Sequence, residues 1–205
     1  MNVKNIRSAF VTLLFLAGIV APVTGFANQI KGDNDSTAIR KMLQQRDQEI
    51  KDLLGPKGTE YTQTQREKLK NIINGIVDYK AMARYALQNT YDSLSTDQRK
   101  EFIDLFSTIV RDQSLNKLDI YRAEVKYKKI NVSGDSAVVN TTAILDNVRT
   151  PVIYHMHQQQ GEWEITDMII DDVSTAGSYR RSFQNVIRKK GYDRLLASLR
   201  KRASR

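Results

Sequence analysis

Apolar residues recur every three or four positions through the first part of the chain and about every second position later, and the period changes near Tyr121. Ile39, Met42, Leu43, Ile50, Leu53 and Leu54 share one helical face before Gly55-Pro56 stops the run, whereas Asn28 to Asp35 reads as loose polar chain. A polar turn through Tyr61 leads to a second helix carrying Leu69, Ile72, Ile73, Ile76 and Val77, and a third is expected from Asp78 to about Gln88. Ser95 and Gln98 stand at capping-box spacing ahead of a fourth helix, whose stripe is Phe102, Ile103, Leu105, Phe106, Ile109 and Val110.

Four strands are expected after that, at 123–132, 136–145, 150–158 and 162–173. Ser133-Gly134-Asp135, Asp146-Asn147 and Gln160-Gly161 close them, and short turns between consecutive strands make an antiparallel meander. The period slips near Lys128-Lys129 and Thr166-Asp167, which marks two expected bulges. Tyr179, Phe183, Val186 and Ile187 then form a helical face that Gly191 is placed to cap. In the basic helix that follows, Leu195, Leu196 and Leu199 can pack inward while Arg194, Arg200, Lys201, Arg202 and Arg205 stay in water. The expected fold class is α+β, with helices covering a four-stranded antiparallel meander.

The amino terminus changes the setting. Lys4 and Arg7 precede an apolar stretch from about Ala9 to Ala21, then Pro22 and the ending Thr24-Gly25-Phe26-Ala27, the three-part layout of a cleavable secretory signal. The stretch is shorter than the roughly 20 residues of a bilayer-spanning helix. The expected organisation is therefore a signal peptide at 1–27, cleaved after Ala27, and one domain at 28–205. The chain has no Cys, so no disulfide staples the fold and no lipid-anchored product is expected, which favours a bacterial periplasm. Without residues 1–27 the chain keeps a net charge of +7. An exported protein rarely meets nucleic acid, so that partner is set aside. Anionic headgroups, acidic partner surfaces or plain solubility account for the charge.

Candidate chemistry is sparse. No G-x-S-x-G, P-loop or H-E-x-x-H occurs. His155 and His157 share one strand face and could reach one metal, but Val152, Tyr154 and Met156 make the better core face, so both histidines are expected in solvent with no metal. Asp171 and Asp172 are adjacent in a strand run and face opposite sides, so turn formation ahead of Ser174 suits them better than acid–base work. More informative is a surplus of large apolar residues: Met82, Tyr85, Phe102, Leu105, Phe106 and Ile109 from helices, and Val152, Tyr154, Met156, Trp163, Ile165, Met168 and Ile170 from strands. Composition alone reads these as core.

The segment from Trp163 through Asp167, Asp171-Asp172 and Ser174, followed by Tyr179-Arg180 and Phe183, resembles the MlaC family of periplasmic phospholipid carriers. Ile76-Val77-Asp78-Tyr79-Lys80-Ala81-Met82-Ala83, Leu94 to Phe102, and Gly191 before Leu195-Leu196 resemble that family too, so the likeness runs from about Ile39 to Leu199. Asp172 stands where the family usually has Gly, Thr175-Ala176 where a bulkier apolar pair is usual, and Tyr91 where Trp is common. The resemblance implies an NTF2-like cone of helices around the sheet, enclosing an apolar cavity for acyl chains. It adds Tyr179 and Phe183 to the lining, and assigns Arg180 either to pairing with Asp167 or to a phosphate. Implied partners are an inner-membrane ABC lipid transporter with an MCE-domain ring and an outer-membrane lipoprotein/porin complex, with the carrier itself a monomer needing no cofactor. A hopanoid-related carrier, a cavity enzyme and an envelope assembly factor remain alternatives.

Overall fold

The computed structural model describes residues 24–204. Helix α1 (Thr24–Leu54) runs unbroken through the 28–35 stretch expected to be loose. No Pro interrupts it, and the Ser36 and Thr37 hydroxyls turn back to the Asp33 carbonyl at 2.9 and 3.0 Å instead of diverting the backbone. Residues 1–23 of the expected signal lie outside the described residues. Among the described residues no helix is long and apolar enough to cross a membrane.

Thr62 opens α2 (Gln63–Asn74) with a reciprocal capping box to Gln65. The helix stops short of Ile76 and Val77, which were expected on its face. Asn74 is buried; its amide donates to the Lys70 carbonyl and its Oδ1 accepts from the Tyr79 hydroxyl at 2.6 Å. Ile76–Asp78 instead runs beside a strand: the Ile165 N–H donates to Ile76 O at 2.6 Å, and the Asp78 N–H to Ile165 O at 3.0 Å. Asp78 then caps α3 (Tyr79–Leu87), its Oδ1 accepting from the Ala81 N–H. A short α4 (Asn89–Ser93) precedes the Ser95/Gln98 capping box, whose two bonds of 2.9 and 3.2 Å start α5 (Thr96–Ser114) as expected. A 3-10 segment, Leu115–Arg122, leads into the sheet.

Strands β1 (Glu124–Ser133), β2 (Ser136–Leu145), β3 (Val148–Gln159), β4 (Glu162–Ile170) and β5 (Val173–Ser174) form one antiparallel sheet in chain order. The fifth strand corrects the expected four. Asp171 and Asp172 take φ of 49° and 60°, a tight reversal that short polar side chains tolerate, so Val173 folds back onto Ile170. Ser174 Oγ next accepts from the Gly177 N–H and opens α6 (Thr175–Lys190). Gly177 is required there, since a Cβ would sit 2.7 Å from that hydroxyl. Gly191, at φ 79°, ends α6 and turns the chain into α7 (Tyr192–Ala203), whose Leu195, Leu196 and Leu199 are buried.

Apolar residues gather in three clusters. One lies inside the bundle α3–α7, around Met82, Phe102, Phe106, Ile109, Phe183 and Leu199. A second lies between α1 and the sheet. The third joins α1, α2 and the 3-10 segment through Ile50, Leu54, Leu69 and Leu118. The bundle meets the sheet along β4, where Ile76–Asp78 pairs with Ile165 and Asp167 accepts from the Ala176 N–H at 2.8 Å.

Candidate functional site

The sheet has one apolar face, set by strand register. Cross-strand pairs put Ala137 beside Met156, Val139 beside Tyr154 and Thr141 beside Val152. The next ladder aligns Met156 with Ile165, Tyr154 with Met168 and Val152 with Ile170. Trp163, Ile165, Met168 and Ile170 break the two-residue period, yet they share this face because Thr166 is a bulge that absorbs the odd step. A second bulge at Lys128 does the same on β1, bringing Tyr127, Ile130 and Val132 onto the face. Both bulges fall where the sequence pattern slips.

Helix α1 covers part of this inner face. Ile39, Met42 and Leu43 pack on Ala137, Val139, Met156, Trp163 and Ile165, and these five sheet residues are buried. Toward the opposite end of the strands the cover stops. Val148 is 63% exposed, Val173 56% and Ile170 40%, all three on the inner face by register, and Ile120 is 49% exposed just before β1. The same face is thus sealed at the end of the Gly134-Asp135 and Gln160-Gly161 turns and open and greasy at the other. Tyr127, Tyr154 and Met168, between the two, are half-buried.

Polar groups along the face are few. Burial pushes the Tyr154 phenol up to about 12, with the negative charge of Asp47 on α1 adding to it. Burial also raises Tyr127, beside Tyr154, while the Arg40 guanidinium lies 5.3 Å over the Tyr127 ring. Lys51 pairs with Asp47 at 2.8 Å. Trp163 Nε1 is buried and makes no hydrogen bond among the described residues, although an indole N–H ordinarily finds a partner when buried.

The structure divides the expected lining residues into two groups. Val152, Tyr154, Met156, Trp163, Ile165, Met168 and Ile170 share the inner face. Met82, Phe102, Leu105, Phe106, Ile109, Tyr179 and Phe183 belong to the bundle core instead, where they meet one another. Phe102 stacks on Phe106 with centroids 5.9 Å apart, Phe183 meets both edge-to-face at 5.7 Å, and Tyr179 meets Phe106 at 4.9 Å and donates to Gln113 Oε1. Tyr85 is 46% exposed on the bundle surface, with the Arg180 guanidinium 4.9 Å above its ring.

The Arg180–Asp167 pairing does not form. Asp167 accepts from the Ser174 hydroxyl at 2.5 Å and from the Ala176 N–H, holding the start of α6 against β4. Of the two histidines expected in solvent, His155 is exposed, but His157 Nε2 lies 2.9 Å from Asp78 Oδ2. Sequence reasoning missed Ile39, Met42 and Leu43 as the cover, and Tyr127, Ile130, Val132, Val148 and Val173 as part of the face. The alternation on β1 and β2 carried that signal, but it becomes readable only when strand pairing is known.

The profile of the MlaC protein family matches residues 36–201. Among solved structures, the chain is similar to the phospholipid-binding protein from Ralstonia solanacearum, solved in complex with a phospholipid. The two are 19% identical with a TM-score of 0.67, covering 82% of this chain and 96% of that one. Curated proteins give no match.

Proposed function

The chain belongs to the MlaC family, and from that premise we propose that it is a periplasmic phospholipid carrier whose guest lays its acyl chains along the inner face of the sheet. The observation that carries this reading is the open end of that face, where Val148, Ile170 and Val173 stand in solvent on a surface that α1 covers only at its other end. Exposed apolar patches on a secreted domain mark sites that something else covers. A solved structure of the same fold that holds a phospholipid supports acyl chains as the cover.

The energetics suit a shuttle. At about 0.8 kcal/mol per CH₂, two long chains gain roughly 20–25 kcal/mol on leaving water, near the ceiling for noncovalent affinity. A bilayer offers the same gain, so exchange between membrane and protein is close to balanced and the lipid can be released. Met168, half-covered in the middle of the face, supplies an adaptable wall. Tyr154, half-buried between the sealed and the open ends, offers a polar edge to a headgroup or ester.

On this reading residues 1–27 are a signal removed after Ala27, and 28–205 work as a single lipid-binding domain, without catalysis. It receives and delivers lipid between an inner-membrane ABC transporter with an MCE-domain ring and an outer-membrane lipoprotein/porin complex. The test is lipid extraction and intact-complex mass spectrometry on protein gently purified from a bacterial host. Stoichiometric phospholipid is expected. Folded protein that carries no lipid and takes none from vesicles overturns the reading.

A further inference from the structure

The outer face of the sheet holds a cluster that lipid carriage does not use. His157 on β3 and Glu164 on β4 are cross-strand partners, and Asp78 reaches them from the α2–α3 junction. His157 Nε2 lies 2.9 Å from Asp78 Oδ2 and 3.5 Å from Glu164 Oε2, and one ligand atom from each of the three residues falls within 4.8 Å of the others. We propose that Asp78, His157 and Glu164 form a binding site for a divalent transition cation of the Zn²⁺ class.

Four observations converge on that reading. First, the donor set is right: one imidazole nitrogen and two carboxylate oxygens are ligands that Zn²⁺ accepts, leaving a fourth position for water. Second, the spacing is right, because bonds of about 2.0–2.2 Å in a tetrahedron set neighbouring ligand atoms roughly 3.3–3.6 Å apart. The two distances from His157 Nε2, 2.9 and 3.5 Å, lie close to that, and the two carboxylate oxygens are within 4.8 Å of each other, a gap that side-chain rotation closes.

Third, His157 Nε2 is shielded from solvent and makes no hydrogen bond of acceptable angle, despite its short distance to Asp78. An imidazole nitrogen held between two carboxylates, with no aligned hydrogen bond to either, is placed as a metal ligand is. Fourth, Asp78 is anchored. Its Oδ1 caps α3 through the Ala81 N–H, and its backbone N–H is bonded to Ile165 O, so Oδ2 is presented from a fixed position. Asp78 is only 9% exposed, while His157 and Glu164 keep about a third of their side-chain surface open, enough for an ion to enter. A bound ion would pin the helical bundle to the β3–β4 ladder. The histidine pair readable from sequence, His155 with His157, is not the site; His155 is exposed and faces Asp167.

The experiment is calorimetric titration of tag-free, chelator-treated protein with ZnCl₂, alongside thermal melts with and without the metal. One Zn²⁺ per chain and a raised Tm are expected, with His157→Gln and Glu164→Gln each weakening binding by about tenfold or more and His155→Gln leaving it unchanged. Co²⁺ offers a readout that needs no variant: tetrahedral nitrogen and oxygen ligation gives a visible absorption far stronger than that of the hydrated ion. The proposal is overturned if the unsubstituted protein shows neither Zn²⁺ heat nor a Co²⁺ band, or if His157→Gln binds as the unsubstituted protein does.

Discussion

The helical bundle and the inner face of the sheet are built from the same kinds of residue and packed in opposite ways. In the bundle, Phe102, Phe106 and Phe183 close on one another edge-to-face and stacked, Phe102 and Phe106 with no exposure at all. On the sheet, Ala137, Val139, Met156 and Trp163 are sealed under α1, Tyr154 and Met168 are half-covered, and Val148 and Ile170 are bare. Aromatic and methionine content therefore does not reveal which side is finished by the protein and which by a guest. What separates them is whether each apolar side chain finds its partners within the fold.

Truncation should hurt the bundle most. Phe106→Ala is expected to cost about 3–5 kcal/mol by urea denaturation, as a fully buried ring lost from a packed core does, while the molecules that remain folded keep their lipid. Lipid loss in proportion to folded protein would move the guest into the bundle and erase the distinction.

Alkali should be the next strongest probe. Burial holds the Tyr154 and Tyr79 phenols near 12, above their ordinary value of 10.0, so the folded state keeps protons that the unfolded chain releases first. That stability is fully present below pH 10 and is lost as pH rises from about 10 towards 12. Thermal melts across that window should show Tm falling, and Tyr154→Phe should reduce the fall; an unaltered profile in that variant would mean the inner face is wetter than its burial indicates.

Filling the face should affect binding more than folding. Met168→Trp, at the half-covered middle, is expected to cost about 1–3 kcal/mol and to lower lipid occupancy in the purified protein. Normal occupancy would place the chains elsewhere. The smallest stability effect belongs to the open rim: Val148→Asp should change stability by no more than about 0.5 kcal/mol yet slow lipid uptake from vesicles. Unchanged uptake would show that chains enter by another route.

Much of the fold was legible because its signals are local. The Ser95/Gln98 capping box, the Asp146-Asn147 and Gln160-Gly161 turns, the Gly191 cap and the bulges at Lys128 and Thr166 each depend on a few adjacent residues. Where reading failed, distant contacts decide. Ile76 and Val77 continue the apolar stripe of α2, but Ile165, nearly ninety positions on, draws them to the sheet edge. Phe102 and Phe106 on α5 look alike whether a sheet or a helix waits opposite, and only the return of α6 fixes them in the bundle. Asp167 and Arg180 have suitable charges and spacing to pair, yet the α6 amino terminus takes the carboxylate. The Asp78–His157 contact joins residues too far apart in sequence for any local pattern to announce it.

The most direct measurement places a photoreactive benzophenone residue at Met168 on the sheet and, separately, at Leu105 in the bundle, then irradiates lipid-loaded protein and weighs the products. A phospholipid adduct is expected at Met168 and none at Leu105. An adduct at Leu105 with none at Met168 would contradict a guest seated on the inner face.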